Sequence, residues 1–355
     1  MSNILTRSPH IVEVSGSGVV GGKVEIFLYK QGVTIPALPQ YTLSKLTPAS
    51  NVTKVFFDVA PYINEFITSN SYTPNVSTNT LNLPIEDYTN VRIKRYKLVA
   101  TTYTLIDSVD YFGLKGYMEQ SISIDQLTNS DLLLAPKTYY YYYNSANPTT
   151  IPFGDITLFN TFNFSDQYVY TYTDLVNGDF YQYTIVSAGF RKIYKVYPTY
   201  ASHGNKLEIT NDRTGLLIAT YYFRPIEECR YTPVTLDFIN KYGAWQREFL
   251  FKNSTDSINV ESQAYKNYRA IPNVFNVQET LVTSFNTNGT ESIKTNTGWV
   301  NEDFKDTIKQ ILLSDRILVN NRPATITTKQ VDLQKNINNK LINYALDFQF
   351  SNSII

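Results

Sequence analysis

From residue 340 to residue 350 the chain alternates. Ile342, Tyr344, Leu346, Phe348 and Phe350 fall on one side of an extended segment, and Asn343, Ala345, Asp347 and Gln349 on the other. Successive side chains of a β-strand point to opposite faces, so this pattern specifies a strand with one face in a core; a helix would scatter the same five side chains around its axis. Shorter stretches repeat the period at 24–29, 55–59, 91–100, 180–187 and 193–197. Three further strand pairs are separated by turn residues. Residues 206–210 and 216–223 flank Asn211-Asp212-Arg213-Thr214-Gly215, and 234–239 and 245–251 flank Asn240-Lys241-Tyr242-Gly243. In the third pair, 275–285 and 291–295 flank Asn286-Thr287-Asn288-Gly289. Asn and Gly tolerate the positive φ of a tight turn, so each pair reads as a hairpin.

Two segments carry a helical period instead. In 301–314, Phe304, Ile308, Ile311 and Leu312 recur at i, i+4, i+7 and i+8, with Asn301 placed as N-cap and Glu302 and Asp303 suited to the positive helix start. In 58–69, Val59, Tyr62, Ile63, Phe66 and Ile67 form an apolar stripe; Asp58 can cap it and Pro61 is tolerated in the first turn. The expected fold is therefore mainly all-β: two or three antiparallel β-sandwich or barrel-like domains with two short amphipathic helices, each packed on a sheet. Composition changes at 144–152 and around Arg224-Pro225 suggest an N-terminal β-rich domain (1–130), a tyrosine-rich middle β domain (131–225) and a C-terminal β domain (226–355) that holds helix 301–314.

Charge narrows the functions open to such a fold. Lys plus Arg and Asp plus Glu number 31 each, so there is no net basic field to hold nucleic acid or an anionic membrane. A single Cys excludes an intrachain disulfide and a cysteine zinc site, and two His leave little for metal ligation or imidazole catalysis. No apolar run approaches the ~18 residues of a spanning helix, so no membrane insertion is expected, and the start of the chain lacks a secretory pattern.

The motifs that could carry chemistry read as structural. Gly16-Ser17-Gly18-Val19-Val20-Gly21 matches GxGxxG, but a dinucleotide site needs a helix after the third glycine, and 23–29 reads at period two. His203 sits in the turn Ser202-His203-Gly204-Asn205 and His10 at a strand entry, with no GxSxG elbow for either. Cys229 reads as a small buried hydrophobe. The closest carboxylate pairs are Asp107 with Asp110, Glu227 with Glu228, and Glu302 with Asp303, and no DxDxDG calcium loop accompanies them. No catalytic, cofactor-binding or metal-ligating residue is expected, and no cofactor.

One segment stands out in a chain with 29 Tyr: Tyr139, Tyr140, Tyr141, Tyr142 and Tyr143 follow one another. As a strand this run places Tyr on both faces. That suits burial on one side and a subunit interface on the other, since Tyr offers a large apolar contact while keeping a hydroxyl. A carbohydrate-stacking face and a plain core strand are the other two readings.

The segment Leu236-Asp237-Phe238-Ile239-Asn240-Lys241-Tyr242-Gly243-Ala244-Trp245-Gln246, the stretch from Gly289 to Trp299, the capped helix ending Ile311-Leu312-Leu313-Ser314-Asp315 and the strand opening Lys340-Leu341-Ile342-Asn343-Tyr344 together resemble virion structural proteins of tailed phages of Bacteroidota, of the crAss-like podophage type. The opening Ser8-Pro9-His10-Ile11-Val12-Glu13-Val14 is similar to the start of such proteins. The resemblance covers about the first 35 residues and 230–350. It implies a non-enzymatic ring component of the tail or head-to-tail connector, made in the bacterial host cytoplasm and residing in the virion. It implies as partners its own copies in a cyclic homo-oligomer, 12-fold or 6-fold, together with other tail and portal proteins and genomic DNA passing the lumen without sequence recognition. Low charge and many aromatics agree with a surface covered by neighbours. The candidate interface residues are Tyr139, Tyr140, Tyr141, Tyr142, Tyr143, Tyr242, Trp245, Asn288 and Trp299. Two alternatives are a receptor- or glycan-binding fibre or baseplate module and a tail-associated depolymerase, which would require two carboxylates converging across a cleft.

Overall fold

The computed structural model describes residues 2–30, 33–49, 51–68, 82–84, 88–118, 134–144, 156–158, 167–186, 191–193, 196–226, 231–266, 282–332 and 342–352. Glu227, Glu228, Cys229 and the expected strand residues 275–281 lie outside them. The fold is mainly β with two short helices. It divides into two compact units, 1–227 with 239–247 and 228–238 with 248–355. The segments 1–130 and 131–225 thus share one unit, and 239–247 belongs with them.

The first unit begins with β1 (Ser2–Leu5), β2 (Ile11–Ser15), β3 (Val19–Tyr29), β4 (Tyr41–Leu46), β5 (Lys54–Asp58), α1 (Ala60–Thr68), β6 (Asn82–Pro84), β7 (Tyr88–Val99) and β8 (Thr102–Leu114). Five of these strands form a sheet in the order β1-β8-β7-β3-β4, and β2 pairs with β5 as a separate ribbon. Val24, Ile26, Leu28, Val91 and Ile93 alternate onto one sheet face and bury with Val12, Val14, Val55 and Phe57 of the ribbon and Ile63 and Ile67 of α1. Asp58 Oδ1 accepts the Ala60 N–H at 3.1 Å, so it caps α1 as its position in the sequence suggests. Gly22 lies where a Cβ would come within 2.6 Å of Val55, so the glycine-rich segment marks a close approach of sheet and ribbon.

The unit continues through β9 (Thr138–Tyr142), β10 (Ile156–Leu158), β11 (Gln167–Asp174), β12 (Phe180–Val186), β13 (Arg191–Ile193), β14 (Asn205–Asn211) and β15 (Leu217–Ile226). A second five-stranded sheet runs β12-β11-β14-β15-β9, and β10, β13 and β6 form a three-stranded one. In the β14–β15 turn, Asn211 Oδ1 accepts the N–H groups of Arg213 and Thr214, both at 3.0 Å, and Gly215 takes a φ of +64°. Of the expected strand 193–197, Ile193 closes β13, while Tyr197 leads into a 3-10 turn at Pro198–Tyr200. Pro198 has no N–H to give to a ladder.

The remaining elements are β16 (Val234–Ile239), β17 (Trp245–Leu250), β18 (Thr255–Lys266), β19 (Val282–Asn296), α2 (Lys305–Leu312), β20 (Ile317–Val319), β21 (Arg322–Ile326) and β22 (Ala345–Phe350); they belong to the second unit apart from Ile239 of β16 and the start of β17, residues 245–247. The strands form one sheet in the order β17-β16-β20-β21-β22-β19-β18. Ile342, Tyr344, Leu346, Phe348 and Phe350 are all buried, packed with Leu236, Phe238, Ile293, Val319 and the α2 residues Ile308 and Ile311. The alternation in 342–350 is therefore the axis of this core.

Two expectations are corrected here. Asn301 precedes a 3-10 turn at Glu302–Phe304 and makes no side-chain cap bond, so the helix proper starts only at Lys305. Asn286-Thr287-Asn288-Gly289 is not a hairpin turn. It lies inside the 15-residue strand β19. Asn286 takes a φ of 50°, and the register slips opposite it, between Glu261 and Gln263 of β18. The left-handed residue is absorbed as a bulge, which bends a strand without reversing it.

Candidate functional site

The most solvent-committed element is the β18–β19 ribbon. The two strands pair from Thr255 opposite Lys294 to Lys266 opposite Val282. On its other side β19 meets β22, among the described residues, over Ser292–Asn296. Among the described residues, β18 has no second neighbour, and all 12 of its residues are exposed. Ile258, Val260, Tyr265, Val282 and Phe285 are about half exposed, and Tyr265 and Phe285 meet edge to face at 5.7 Å between ring centroids. A two-stranded ribbon with both faces in water is marginal alone. An open strand edge of this length is a template for pairing with another chain.

The candidate interface residues fall into two groups. Exposed are Asn288, on the ribbon, Tyr140, on the outer face of β9, and Trp299 at 65%. Trp299 is held out by a built turn: Asn296 Oδ1 accepts the Gly298 N–H at 2.8 Å, Gly298 has a φ of +74°, and the buried Thr297 Oγ1 accepts the Tyr344 N–H at 3.0 Å. Turned inward are Tyr139, Tyr141 and Trp245, each 4% exposed within the chain itself. Tyr142, Tyr143 and Tyr242 are half-buried, and Tyr242 packs on Leu5, Tyr88, Leu114 and Ala244. The side chains of Tyr139, Tyr141 and Trp245 serve the internal core and offer no surface to a neighbour. Strand β18 carries no motif. Its signal was the period-two run from Asp256 to Lys266.

The inward tyrosines form one face of the second five-stranded sheet. Register places Tyr170 beside Ile209 and Ala219, Tyr172 beside Leu207 and Tyr221, and Phe223 beside Tyr139. Tyr139 stacks on Phe223 at 5.6 Å and Tyr170 on Tyr183 at 5.1 Å. Two of the buried hydroxyls take nearby carbonyls: Tyr141 donates to Ala201 O at 2.6 Å and Tyr221 to Leu134 O at 2.8 Å. At the β12 edge the array reaches the surface, where Tyr181 stacks on Tyr197 at 4.6 Å.

Three of the candidate carboxylates are bound into ion pairs. Arg92 pairs with Asp110 at 2.6 Å, Arg95 with Asp107, and Lys305 with Glu302 at 3.1 Å. The Arg95 hydrogen bond holds Asp107 below the ordinary carboxylate range. Asp107 and Asp110, three apart on β8, point to opposite faces and do not converge. Among the described residues no three His, Cys, Asp or Glu side chains gather as a metal site.

His203 Nδ1 lies 3.0 Å from Asp174 Oδ2, tying the 200–204 turn to the end of β11. Burial alone would raise the Asp174 pKa. The N–H groups of Val176 and Asn177 and the His203 ring outweigh it, and the carboxyl titrates below its ordinary range. The unfolded chain then takes up this proton at a higher pH than the folded one. The stability Asp174 contributes is full above the unfolded value and is lost as pH falls through the folded one. Asp174→Asn is therefore expected to lower the urea midpoint at neutral pH by an amount that shrinks below about pH 4. A difference that stays constant with pH would show that the charge is not responsible.

The chain matches no family model, no curated protein and no solved structure.

Proposed function

We propose that this chain is a non-enzymatic structural subunit of a tailed-phage virion, a ring-forming component of the tail or head-to-tail connector around the DNA path. The observation that carries the reading is the β18–β19 ribbon, on which Tyr265 and Phe285 meet edge to face and stand about half exposed. Trp299 on its built turn and Tyr140 add anchors of the kind that dominate protein interfaces. Neutral total charge fits a lumen past which DNA slides without being held. The ring is closed by heterologous contacts between neighbours, six or twelve around the axis.

The test is the purified full-length chain by mass photometry and electron microscopy, alongside mass spectrometry of purified virions of the phage that encodes it. Closed rings, and the chain among the virion proteins, are the expected result; absence from virions overturns the reading. The Tyr181–Tyr197 stack at the β12 edge favours a second reading, a glycan-binding tail module, because sugars stack on aromatic rings at a surface. A glycan array on wild type and Tyr181→Ala separates the two.

A further inference from the structure

The open edge of β18 is self-complementary. The backbone direction of each residue follows from one bond. The Thr297 N–H donates to Tyr344 O at 2.9 Å, and the β19–β22 register pairs Thr295 with Leu346 and Ile293 with Phe348. Hydrogen-bonded and non-bonded pairs alternate along an antiparallel ladder. Thr295 and Ile293 therefore turn their peptide groups toward β22, and Lys294, Ser292 and Thr290 turn theirs toward β18. Their partners Thr255, Ser257 and Asn259 bond inward. The peptide groups left on the open edge are those of Asp256, Ile258, Val260, Ser262, Ala264 and Lys266.

The side chains of these same six residues share one face. Read along the strand it is acidic, apolar, apolar, small polar, apolar, basic. Ile258 and Val260 are 55% and 54% exposed. Among the described residues neither Asp256 nor Lys266 makes an ion pair. Turning the strand end for end exchanges the acid and the base and keeps the apolar centre.

We propose that β18 pairs antiparallel with β18 of a second copy about a two-fold axis at Glu261. In that register Asp256 lies opposite Lys266 twice, Ile258 opposite Ala264 and Val260 opposite Ser262. Every outward peptide group finds a partner, and the two sheets join edge to edge. Hydrogen-bond parity allows this register, and its two direct charge pairs and apolar centre favour it against the like-charge Glu261 pair at the axis. A two-fold contact cannot by itself close a ring, so this contact is additional to those proposed above and holds whether or not the chain is a virion subunit.

Glu261 bonds inward to β19, so at the axis it faces its own copy as a non-hydrogen-bonded pair, with Cα atoms about 4.5 Å apart. That separation lies within disulfide range. In a full-length chain carrying Cys229→Ser, Glu261→Cys is expected to give a covalent dimer on mild oxidation with copper phenanthroline, and Ser257→Cys to stay monomeric. In sedimentation velocity, Asp256→Lys and Lys266→Asp are each expected to weaken this association by roughly ten- to a hundredfold. The double reversal is expected to recover it, with circular dichroism confirming that all variants fold. Loss of the ring with cross-linking intact would count against the ring reading alone. Failure of Glu261→Cys to cross-link above the Ser257→Cys control, or failure of the double reversal to rescue, overturns the two-fold contact.

Discussion

Gly243→Ala is expected to destabilise the first unit by roughly 2–5 kcal/mol, read as a fall in the urea midpoint followed by the fluorescence of the buried Trp245. Two separate costs add. Gly243 has a φ of +87°, a left-handed conformation that costs a side-chain-bearing residue about 1–2 kcal/mol. The added Cβ would also stand 2.7 Å from Lys115 N and 2.8 Å from Gly116 N. These are backbone atoms of a segment more than a hundred residues earlier, and they cannot swing away like the tip of a side chain. The contact is reciprocal: Tyr117 N–H donates to Lys241 O at 2.8 Å, and a Cβ on Gly116 would come within 2.4 Å of that oxygen. Gly178→Ala is the control, because Gly178 has a φ of +76° but nothing within 4 Å of an added Cβ. It is expected to show the conformational cost alone, about 1–2 kcal/mol. Equal losses at the two positions would remove the packing part of the argument.

The same loop shows which parts of the fold the sequence discloses. Asn240 and Gly243 announce a reversal through local chemistry, and Asn240 Oδ1 accepts the Tyr242 and Ala244 N–H groups to make it. What the reversal packs on is a long-range matter with no local signature, so Tyr242 and Trp245 look like interface residues until the segment around Lys115 is seen beneath the hairpin. Asn286 is the opposite case. Its side chain signals positive φ correctly, but a bulge and a turn ask for the same residue, and only the partner strand decides between them. The tyrosine run divides by parity as a strand should, with Tyr139 and Tyr141 inward and Tyr140 outward; which parity faces the core is set by Phe223 on β15. Strand β18 is faint in the sequence because its alternation carries few large apolar residues. That paucity is itself what a ribbon leaving the core would show.

The alternation in 342–350 fixes the second of the large effects. Phe348→Ala is expected to cost about 3–5 kcal/mol, and Gln349→Ala on the opposite face no more than about 0.5 kcal/mol. Phe348 is fully buried and stands in register between Ile293 of β19 and Ile326 of β21, so truncation leaves a void that backbones on both sides hold open. Denaturant unfolding of the two variants measures the contrast, and a similar cost for both would mean that β22 does not divide its faces as described. The consequence extends beyond the core. Among the described residues β19 is rooted to the sheet through Ser292–Asn296, and Ile293 is the buried side chain of that root directly opposite Phe348. Weakening the root should loosen the ribbon before the rest of the unit unfolds. Amide exchange is therefore expected to accelerate in β18 and the outer part of β19 of Phe348→Ala at denaturant concentrations where β20 and β21 remain protected. If the ribbon carries the contacts between copies, this core substitution should also weaken assembly, although it touches no surface residue.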